Sequence, residues 1–544
     1  FAAVWVTWPL ALTATTSFPI GLLGADTVPL LNLWTMWWNS DRLRHGLSGY
    51  WNAPLFYPAQ NTFALSEPQP VTLIVAPVIW LTGSRVLAYN CYLWLSLIFN
   101  GLFAERLLRV AGVSRCVALL GGLAMLMLPL VQWQLVPLWG ILWTFTTCLQ
   151  LSRHPTWRSG VQVGLAFSVA CLICTHQGLL FAVLLMGSVW SLPSSRPRWL
   201  RWWAGGIAVL VAAVVIGPLL FHIQRVTSRQ EFARDPALVE QLSVHLDDYL
   251  LTTGHPLIEF GSAAPSTFWR LGPGWIKVSL ALIAILVGLT RPRWRNWTAC
   301  LCLIAGGACL WSLGPHLQIG NWQPWWTLTQ IFPGFSRVRN VFRFAFFVQL
   351  ALVLLAFQGV YLLEVLNRRF SKRQWCRTGC RWALVCLGLV AAFESRPAPV
   401  LLATAPEVTS QRGWIDFVRD TTPPGKAIAC FPFPAGQSVD SFEETARWMY
   451  YGTFHRVPLV NGYSGFFPRE YVEFEEAMNA EFPSAGTLLQ LAERGVEYVV
   501  TTRDFATSKD LDQVQFNEVE MQRVWQDSTG IRIYRVHRLD RQRE

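Results

Sequence analysis

Apolar and polar segments alternate along the chain in a pattern that predicts a bundle of membrane helices. Runs such as Trp203 to Leu220 and Val341 to Leu363 approach the roughly 20 apolar residues that a helix needs to cross a bilayer. Segment 70–83 is apolar but short and is bounded by Pro70 and Gly83, so we expect an interfacial or re-entrant helix there. Eleven spans are predicted, at about residues 1–23, 87–109, 115–133, 135–151, 159–175, 178–193, 203–222, 274–290, 297–312, 341–364 and 382–402.

Arginine clusters between these spans predict the orientation. All five fall on one side of the predicted bundle, and the long polar loops 24–86, 223–273 and 313–340 fall on the other. Positive charge beside a span marks the cytoplasmic face, so the loops are expected outside the cytoplasm. The clusters are Arg106/Arg109/Arg115, Arg153/Arg158, Arg196/Arg198/Arg201, Arg291/Arg293/Arg295 and Arg368 through Arg381.

The composition changes at Ala405 to that of a soluble domain, with acidic and basic residues mixed. We therefore expect a transmembrane domain over 1–404, carrying the three outer loops, and an extracytoplasmic α/β domain over 405–544. Strands are predicted by apolar or alternating runs, and a helix by amphipathic spacing. The elements expected are strands at Lys426–Phe433, Val496–Thr502 and Gly530–Val536 and a helix at Ser484–Arg494.

Composition narrows the class of protein. With 53% hydrophobic and 14% charged residues, the chain is not an ordinary soluble protein. The net charge of +11 is accounted for by the arginine clusters, which argues against a nucleic-acid groove. No disulfide framework or paired Cys-x-x-Cys zinc pattern is present. No phosphate-binding loop, dinucleotide fingerprint or nucleophile elbow appears either, which argues against ATPase, dehydrogenase and hydrolase activities.

The first outer loop carries the strongest chemical signal. Asp26 follows the first predicted span, where burial can raise the pKa of a carboxyl toward that of a general base. The alternative is that Asp26 caps the helix that follows. Glu67 is a second acid near the end of this loop.

Aromatic residues surround these two acids in the sequence. Trp34, Trp37 and Trp38 form one run, and a second run contains Trp51, Asn52 and Tyr57. Aromatic faces suit sugar rings, so substrate binding is one interpretation, and anchoring at the membrane interface is the other. Both interpretations stay open on the sequence alone.

Arg337, Arg339 and Arg343 lie on the predicted outer side, just before a span, against the charge rule. Arginine binds phosphate oxygens with two parallel donors, so these residues are candidates for binding a lipid phosphate. Pairing with lipid headgroups or outer-loop acids is the alternative.

Two further pairs are weaker candidates. His176 and Gln177 occupy a predicted tight turn on the outer side and are either substrate contacts or turn caps. Asp247 and Asp248, near His245, have the ligand types of a divalent-metal site, but their spacing matches no metal motif. Solvated carboxylates at a helix end are the favoured alternative, so no cofactor is assigned and a divalent metal stays open.

Taken together, these features resemble the GT-C superfamily of membrane glycosyltransferases, most closely a bacterial and largely uncharacterised branch. The resemblance covers most of residues 20–365, although each motif alone is weakly specific. The matching blocks are Gly24-Ala25-Asp26, Trp51-Asn52-Ala53-Pro54, Phe56-Tyr57-Pro58, Val86-Leu87-Ala88-Tyr89-Asn90, Asp247-Asp248-Tyr249-Leu250 and Phe335 through Phe344.

The resemblance implies a protein of the bacterial inner membrane that moves a sugar from a polyprenyl-phosphate carrier to a lipid, glycan or protein acceptor on the extracytoplasmic face. It implies catalysis by Asp26, with Glu67 as a second acid. The family often has an acid pair, or an acid plus a histidine, near the end of this loop, and this chain has only Glu67 there, with no adjacent histidine. A non-catalytic transporter or scaffold for lipid-linked glycans is the alternative function.

Overall fold

A computed structural model describes residues 1–21, 26–128, 136–194, 196–228, 235–258, 269–332, 334–370, 374–436, 438–516 and 519–538. Within these ranges the chain is mostly helical. The helices are α1 Ala2–Val6, α2 Thr27–Arg44, α3 Ala76–Thr82, α4 Arg85–Ala111, α5 Arg115–Leu126, α6 Trp139–Arg153, α7 Trp157–Ile173, α8 Thr175–Ser188, α9 Arg198–Ser228, α10 Pro236–Gln241, α11 Trp275–Thr290, α12 Pro292–Ser312, α13 Pro324–Ile331, α14 Ala345–Phe370, α15 Gln374–Phe393, α16 Arg412–Thr421, α17 Glu443–His455, α18 Arg469–Glu481, α19 Ala485–Glu493 and α20 Arg503–Ser508.

Eight strands lie in the described ranges, and four of them form one small sheet. The strands are β1 Ser17–Pro19, β2 His255–Pro256, β3 Ser395–Arg396, β4 Leu402–Thr404, β5 Ala427–Phe431, β6 Val496–Thr502, β7 Val519–Gln526 and β8 Ile531–Arg538.

The chain divides into two compact units. Unit 1 comprises residues 1–13, 91–220 and 232–401, and unit 2 comprises residues 14–90, 221–231 and 402–544. The first predicted outer loop therefore belongs to the same unit as the C-terminal residues. The extracytoplasmic location of residues 405–544 stays a prediction.

The predicted membrane helix over residues 1–23 is wrong in the part of this stretch that the structure describes. Helix α1 ends at Val6, a single 3₁₀ turn follows, and Ser17–Pro19 is the strand β1, which pairs antiparallel with β4. Pro9 and Pro19 lack the amide proton that a helix needs, and the threonines and serine between them have low helix propensity. Hydropathy alone does not show that these residues interrupt a helix.

Each of the other ten predicted spans overlaps one helix, from α4 to α9, then α11, α12, α14 and α15. The span predicted over 382–402 is wrong at its end, because α15 stops at Phe393 and the strands β3 and β4 follow, and helix α5 ends at Leu126, before the predicted end of the span 115–133. Among the described residues, three helices are long and apolar enough to cross a membrane: Arg85–Ala111, Arg198–Ser228 and Val341–Arg369. The other apolar helices are shorter, so a total of eleven crossings stays a prediction. Segment 70–83 forms a 3₁₀ turn, Pro70–Val75, followed by α3, and its place in a membrane is likewise a prediction.

Unit 1 is built around α14, whose apolar window is 83% buried. Helix α11 packs closely along it because Gly359 has no side chain. A Cβ at Gly359 would lie 2.2 Å from the backbone oxygen of Leu280. Small residues that allow two backbones to approach are typical of helix packing in membranes.

A buried ion pair ties α11 to the end of α15 in unit 1. Glu394 accepts the backbone N–H groups of Ile276 and Lys277, and the ammonium of Lys277 lies 3.3 Å from the Glu394 carboxylate. The same ammonium donates to the carbonyl of Ala391 at 3.0 Å. The carboxylate thus satisfies amide groups at the start of α11 that have no partner inside the helix.

Unit 2 contains a four-stranded sheet in the order β5-β6-β8-β7, parallel between β5 and β6 and antiparallel elsewhere. All five residues of β5 are buried, as expected for a strand covered on both faces. The three predicted strands and the predicted helix, which is α19, are confirmed with shifts of a few residues at their ends.

Helix α2 runs through the core of unit 2. Its neighbours in this unit include α17 and the segment that contains α3. Thirteen of its eighteen residues are buried, which leaves no solvent-facing stripe of the usual width. Helices α2 and α17, which begin at Thr27 and Glu443 and so lie far apart in the sequence, pack against each other.

Candidate functional site

Asp26 lies at the start of α2 with only 6% of its surface exposed. Its backbone is already helical, at φ −88° and ψ −6°, and its side chain makes no capping hydrogen bond. A capping residue normally has an extended backbone that turns its side chain back over the first amides. The geometry of Asp26 therefore does not support the helix-cap interpretation.

The two carboxylate oxygens of Asp26 are not equivalent. Arg447 of α17 donates from Nη2 to Oδ2 at 3.5 Å. Among the described residues, Oδ1 is buried and has no hydrogen-bond partner. Burial raises the pKa of the Asp26 carboxyl above its ordinary value, while the charge of Arg447 lowers it. One oxygen is thus held in place and the other is available to accept a proton.

Arg447 is itself held by an acid one turn earlier on α17. Its guanidinium forms an ion pair with Glu443, and the charge of Glu443 in turn raises the pKa of Asp26. Burial also raises the pKa of Glu444, the next residue. Thr27 fastens the start of α2 to the segment before α17, because its hydroxyl donates to the carbonyl of Val439 at 3.0 Å.

Asp41, near the other end of α2, is a second buried acid in unit 2. It pairs with Arg42, with Arg456 at 3.0 Å and with His45 at 3.7 Å. Two arginines and a histidine lie around this carboxylate, whereas Asp26 contacts one arginine among the described residues. Asp41 is therefore engaged in structure, and Asp26 is the better placed of the two to take up a proton.

The predicted substrate contacts of the first loop make internal contacts in unit 2. The Trp51 ring stacks on His222, with centroids 4.1 Å apart. Asn52 accepts the backbone N–H of Asn61 at 2.9 Å, and the Tyr57 hydroxyl donates to the carbonyl of Gly425 at 2.7 Å. These bonds fix the path of the loop, and a role in substrate binding stays a prediction.

The tryptophans of α2 are neither sugar-stacking faces nor interface anchors. Trp34, Trp37 and Trp38 are all buried in the core of unit 2. Trp34 and Trp38 stack on each other with centroids 5.9 Å apart. Both interpretations of this run are wrong, because residues far away in the sequence cover these three side chains.

Glu67 is half-buried in an irregular stretch between two 3₁₀ turns. The next residues are fixed by Asn39 of α2, whose amide donates to the carbonyl of Pro68 at 2.7 Å. The charges of Arg447 and Glu443 act on the Asp26 carboxyl. The role of Glu67 as a second acid stays a prediction, as does the motif Gly24-Ala25, which lies outside the described residues.

The predicted phosphate-binding arginines belong to unit 1. Arg337 ends a 3₁₀ turn and Arg343 lies in another, Val341–Phe344, which leads directly into α14. All three arginines, including Arg339, are half-buried. Arg339 and Arg343 have no ion-pair partner among the described residues, and the Nε of Arg343 is buried without a hydrogen-bond acceptor there. Such donors suit an anionic ligand.

His176 and Gln177 do not form the predicted turn. Helix α7 ends at Ile173 and α8 begins at Thr175, so the turn consists of Cys174. His176 is half-buried and Gln177 is buried in the first turn of α8. A contact of either residue with a substrate stays a prediction.

Asp248 is a structural residue of unit 1. It is fully buried, and its two oxygens accept the backbone N–H groups of His245 at 2.8 Å and Trp269 at 3.0 Å. The expectation of a solvated carboxylate is wrong for this residue, because the loop folds over it. Asp247 is exposed. Among the described residues, no group of three or more His, Cys, Asp or Glu side chains is placed to hold a metal ion.

Sequence reasoning missed Arg447 and Glu443. Neither residue stands in a recognisable motif, and 421 positions separate Arg447 from Asp26. The aromatic run from Trp448 to His455 suits a carbohydrate, lid or packed-core surface, and nothing in it indicates a charge that faces Asp26.

Comparison with known proteins identifies the fold. No protein-family model and no curated protein matches the chain. Solved structures do match. The arabinofuranosyltransferase AftD from Mycobacteria superposes with a TM-score of 0.59 at 12% identity, covering 99% of this chain and 40% of AftD. The oligosaccharyltransferase AglB from Archaeoglobus fulgidus superposes with a TM-score of 0.53 at 11% identity, covering 94% of this chain and 69% of AglB.

Both of these proteins are GT-C glycosyltransferases, and the chain has the GT-C fold. The resemblance found in the sequence is thereby confirmed at the level of the fold. The chain spans well under half the length of AftD. At such low identity the likeness establishes the architecture, and activity has to be argued from the site.

Proposed function

We propose that this protein is a membrane glycosyltransferase that moves a sugar from a polyprenyl-phosphate carrier to an acceptor hydroxyl on the extracytoplasmic face of a bacterial inner membrane. The observation that carries the proposal is the buried Asp26 carboxylate in a chain of GT-C fold, with one oxygen held by Arg447 and the other without a partner among the described residues. The AglB structure was solved with a dolichol-phosphate, a carrier of the same chemical kind.

Asp26 acts as the general base in this proposal. Its Oδ1 takes the proton of the acceptor hydroxyl while the acceptor oxygen forms a bond to the anomeric carbon of the sugar. The bond between that carbon and the phosphate oxygen of the carrier breaks, and the polyprenyl phosphate leaves with the electron pair. Attack from the face opposite the phosphate inverts the anomeric configuration.

Arg339 and Arg343 bind the departing phosphate. Developing negative charge in a partly dry site is stabilised strongly by donors that are already in position. Arginine offers paired donors to phosphate oxygens, and the unpartnered Nε of Arg343 is one such donor. Glu67, Trp51, Asn52, Tyr57, His176 and Gln177 remain candidates for contacts to the sugar or acceptor.

A transporter or scaffold of lipid-linked glycans is the second candidate function. Transport would favour charged groups on broken helices in the middle of the membrane. The buried Lys277–Glu394 pair lies at helix ends, and its charges are used to join α11 and α15. That observation favours the enzyme.

The experiment is a transfer assay in membranes that contain the full chain. Polyprenyl-phosphate sugars with radiolabelled sugar are supplied one at a time, and label is followed into lipid, glycan and protein. Asp26→Asn should lower transfer by about 10²–10⁴-fold, because the proton acceptor is lost at nearly constant size. Asp235→Asn is the matched control, since Asp235 caps α10 through a 2.9 Å bond to the amide of Ala237.

Near wild-type transfer by Asp26→Asn would remove Asp26 from the mechanism. If the wild-type protein binds these donors yet transfers label from none of them, the transporter or scaffold function replaces the enzyme.

A further inference from the structure

Helix α17 brings three charged side chains to the start of α2. Arg447 contacts Asp26 and Glu443, and Glu444 stands beside Glu443 on the same helix. The side chain of Asp26 is 7% exposed, whereas that of Arg447 is 43% exposed. The partly exposed Arg447 therefore links the buried carboxylate of Asp26 to Glu443.

The charges that act on Asp26 can be named from both elements. Arg447 and Glu443 come from α17, and the first turn of α2 contributes no acidic residue. The charges of Arg447 and Glu443 also act on Glu444, lowering and raising the pKa of its carboxyl respectively. The segment before α17 contributes the carbonyl of Val439, which is taken by Thr27.

We propose that Arg447 is a positioning residue for the reaction, which holds Oδ2 of Asp26 so that the carboxylate stays ionised with Oδ1 turned toward the acceptor, and that Glu443 anchors Arg447. This inference rests on the proposed role of Asp26 as the base. It adds a residue from the C-terminal part of the chain to a site that the first loop otherwise forms in unit 2.

The physical argument is a balance of two opposing effects. A carboxylate taken out of water gains a proton too readily to serve as a base, whereas an opposite charge within about 4–6 Å lowers its pKa by 1–3 units. Asp26 has both influences, and a general base works best with a pKa near the working pH. Arg447 offsets the desolvation of Asp26 without occupying both of its oxygens.

Glu443 has a second part in this balance. It lies one helical turn before Arg447 and forms an ion pair with it, so it restricts the guanidinium to the side of α17 that faces Asp26. Its own negative charge acts on Asp26 in the opposite direction. Removing the charge of Arg447 should therefore raise the pKa of Asp26, whereas Glu443→Gln, which removes the negative charge but keeps a hydrogen-bond acceptor for Arg447, should lower it.

The test measures the titration of Asp26 directly in the full-length protein in membranes. Dicyclohexylcarbodiimide adds to protonated carboxyl groups in apolar surroundings, and mass spectrometry of the peptide that contains Asp26 gives the labelled fraction at each pH. Arg447→Ala should move the pH of half-maximal labelling upward by about one unit or more. Arg447→Lys should restore most of the shift, and Glu443→Gln should move the midpoint downward.

The direction in which the labelling midpoint shifts distinguishes a positioning role of Arg447 from a role in packing alone. If Arg447 only held α17 against α2, its loss would let water reach Asp26 and move the midpoint downward. Arg419→Ala is the matched control, because Arg419 is 42% exposed and pairs with Asp416 and Asp420 on α16, away from Asp26. An unchanged or lower midpoint in Arg447→Ala would overturn the inference.

This outcome is independent of the transfer assay. If Asp26→Asn still transfers sugar, the proposed function fails even though the labelling midpoints shift as expected. If Asp26→Asn is inactive and the midpoint of Arg447→Ala does not rise, the role of Asp26 stands and that of Arg447 falls.

Discussion

The ammonium of Lys277 lies 3.3 Å from the carboxylate of Glu394, and neither side chain is exposed by more than 2%. The pair joins the first turn of α11 to the residue after α15. Removing one partner of a buried ion pair leaves an uncompensated charge, which typically costs about 3–5 kcal/mol. The ion pair therefore stabilises the contact between α11 and the end of α15 in unit 1.

Lys277→Met should lower the free energy of unfolding by that amount, about 3–5 kcal/mol. Thermal unfolding in detergent, followed by the fluorescence of a thiol-reactive dye, measures the change. Glu473→Ala is the control, because Glu473 is 63% exposed and its pair with Arg469 on α18 should contribute under about 1 kcal/mol. Equal free energies of unfolding for Lys277→Met and the control would mean that the ion pair does not stabilise unit 1.

Glu475 of α18 gives a pH-dependent prediction. Burial raises the pKa of its carboxyl from 4.5 to about 7. The folded state therefore binds this proton more tightly than the unfolded state, and the resulting stability is complete below pH 4.5 and lost as the pH rises to about 7. Over that window, wild type should lose on the order of 2–3 kcal/mol relative to Glu475→Gln.

Denaturation curves of both proteins from pH 4 to pH 8 give this difference. Glu473→Gln, on an exposed position of the same helix, controls for the loss of one negative charge. A stability difference between wild type and Glu475→Gln that stays constant with pH would contradict the raised pKa.

Arg339→Ala and Arg343→Ala should each weaken the binding of polyprenyl phosphate by about 10-fold or more, since a hydrogen bond between charged groups contributes about 1.5–3 kcal/mol. Binding is measured with the phosphate carrier alone, without a sugar. Lysine at either position should rescue poorly, because it lacks the planar pair of donors. Arg396→Ala, an exposed arginine of unit 1, should bind as wild type does; unaltered affinity in all three variants would return Arg339 and Arg343 to the role of headgroup anchors.

The orientation in the membrane is tested with a reporter that is active only outside the cytoplasm. The arginine cluster from Arg368 to Arg381 extends from the end of α14 into the first turns of α15 and should face the cytoplasm. Alkaline phosphatase joined after Val400 should be active, and the same enzyme joined after Arg369 should be inactive. The reverse result would place residues 405–544 in the cytoplasm and refute an extracytoplasmic active site.

Patterns that depend on near neighbours were predicted well from the sequence. The run Gly530–Val536 predicted strand β8, although the adjacent residues Ile533 and Tyr534 are both buried, and long apolar runs such as α14 have one reasonable conformation. The first apolar stretch was mispredicted because prolines broke a run whose hydropathy alone suited a membrane helix.

Features that depend on distant contacts could not be predicted. The sequence predicted surface positions for Trp34, Trp37 and Trp38. Nothing nearby in the sequence shows that other elements cover these side chains. The sequence predicted a solvated Asp248 carboxylate, because the two backbone amides that bind it come from separate parts of the loop, at His245 and Trp269. The position of Asp26 was predicted, but its partner Arg447 lies too far along the chain to be linked to it by spacing.

The separation of Asp26 and Arg447 has a consequence for biogenesis. Asp26 leaves the ribosome among the first residues of this sequence, yet its cation follows 421 positions later. A nascent or truncated chain that lacks α17 would hold a carboxylate with no counter-charge, beside tryptophans that nothing has yet covered. Under the proposed function, Asp26 should therefore become competent as a base only after α17 has been synthesised and has packed against α2.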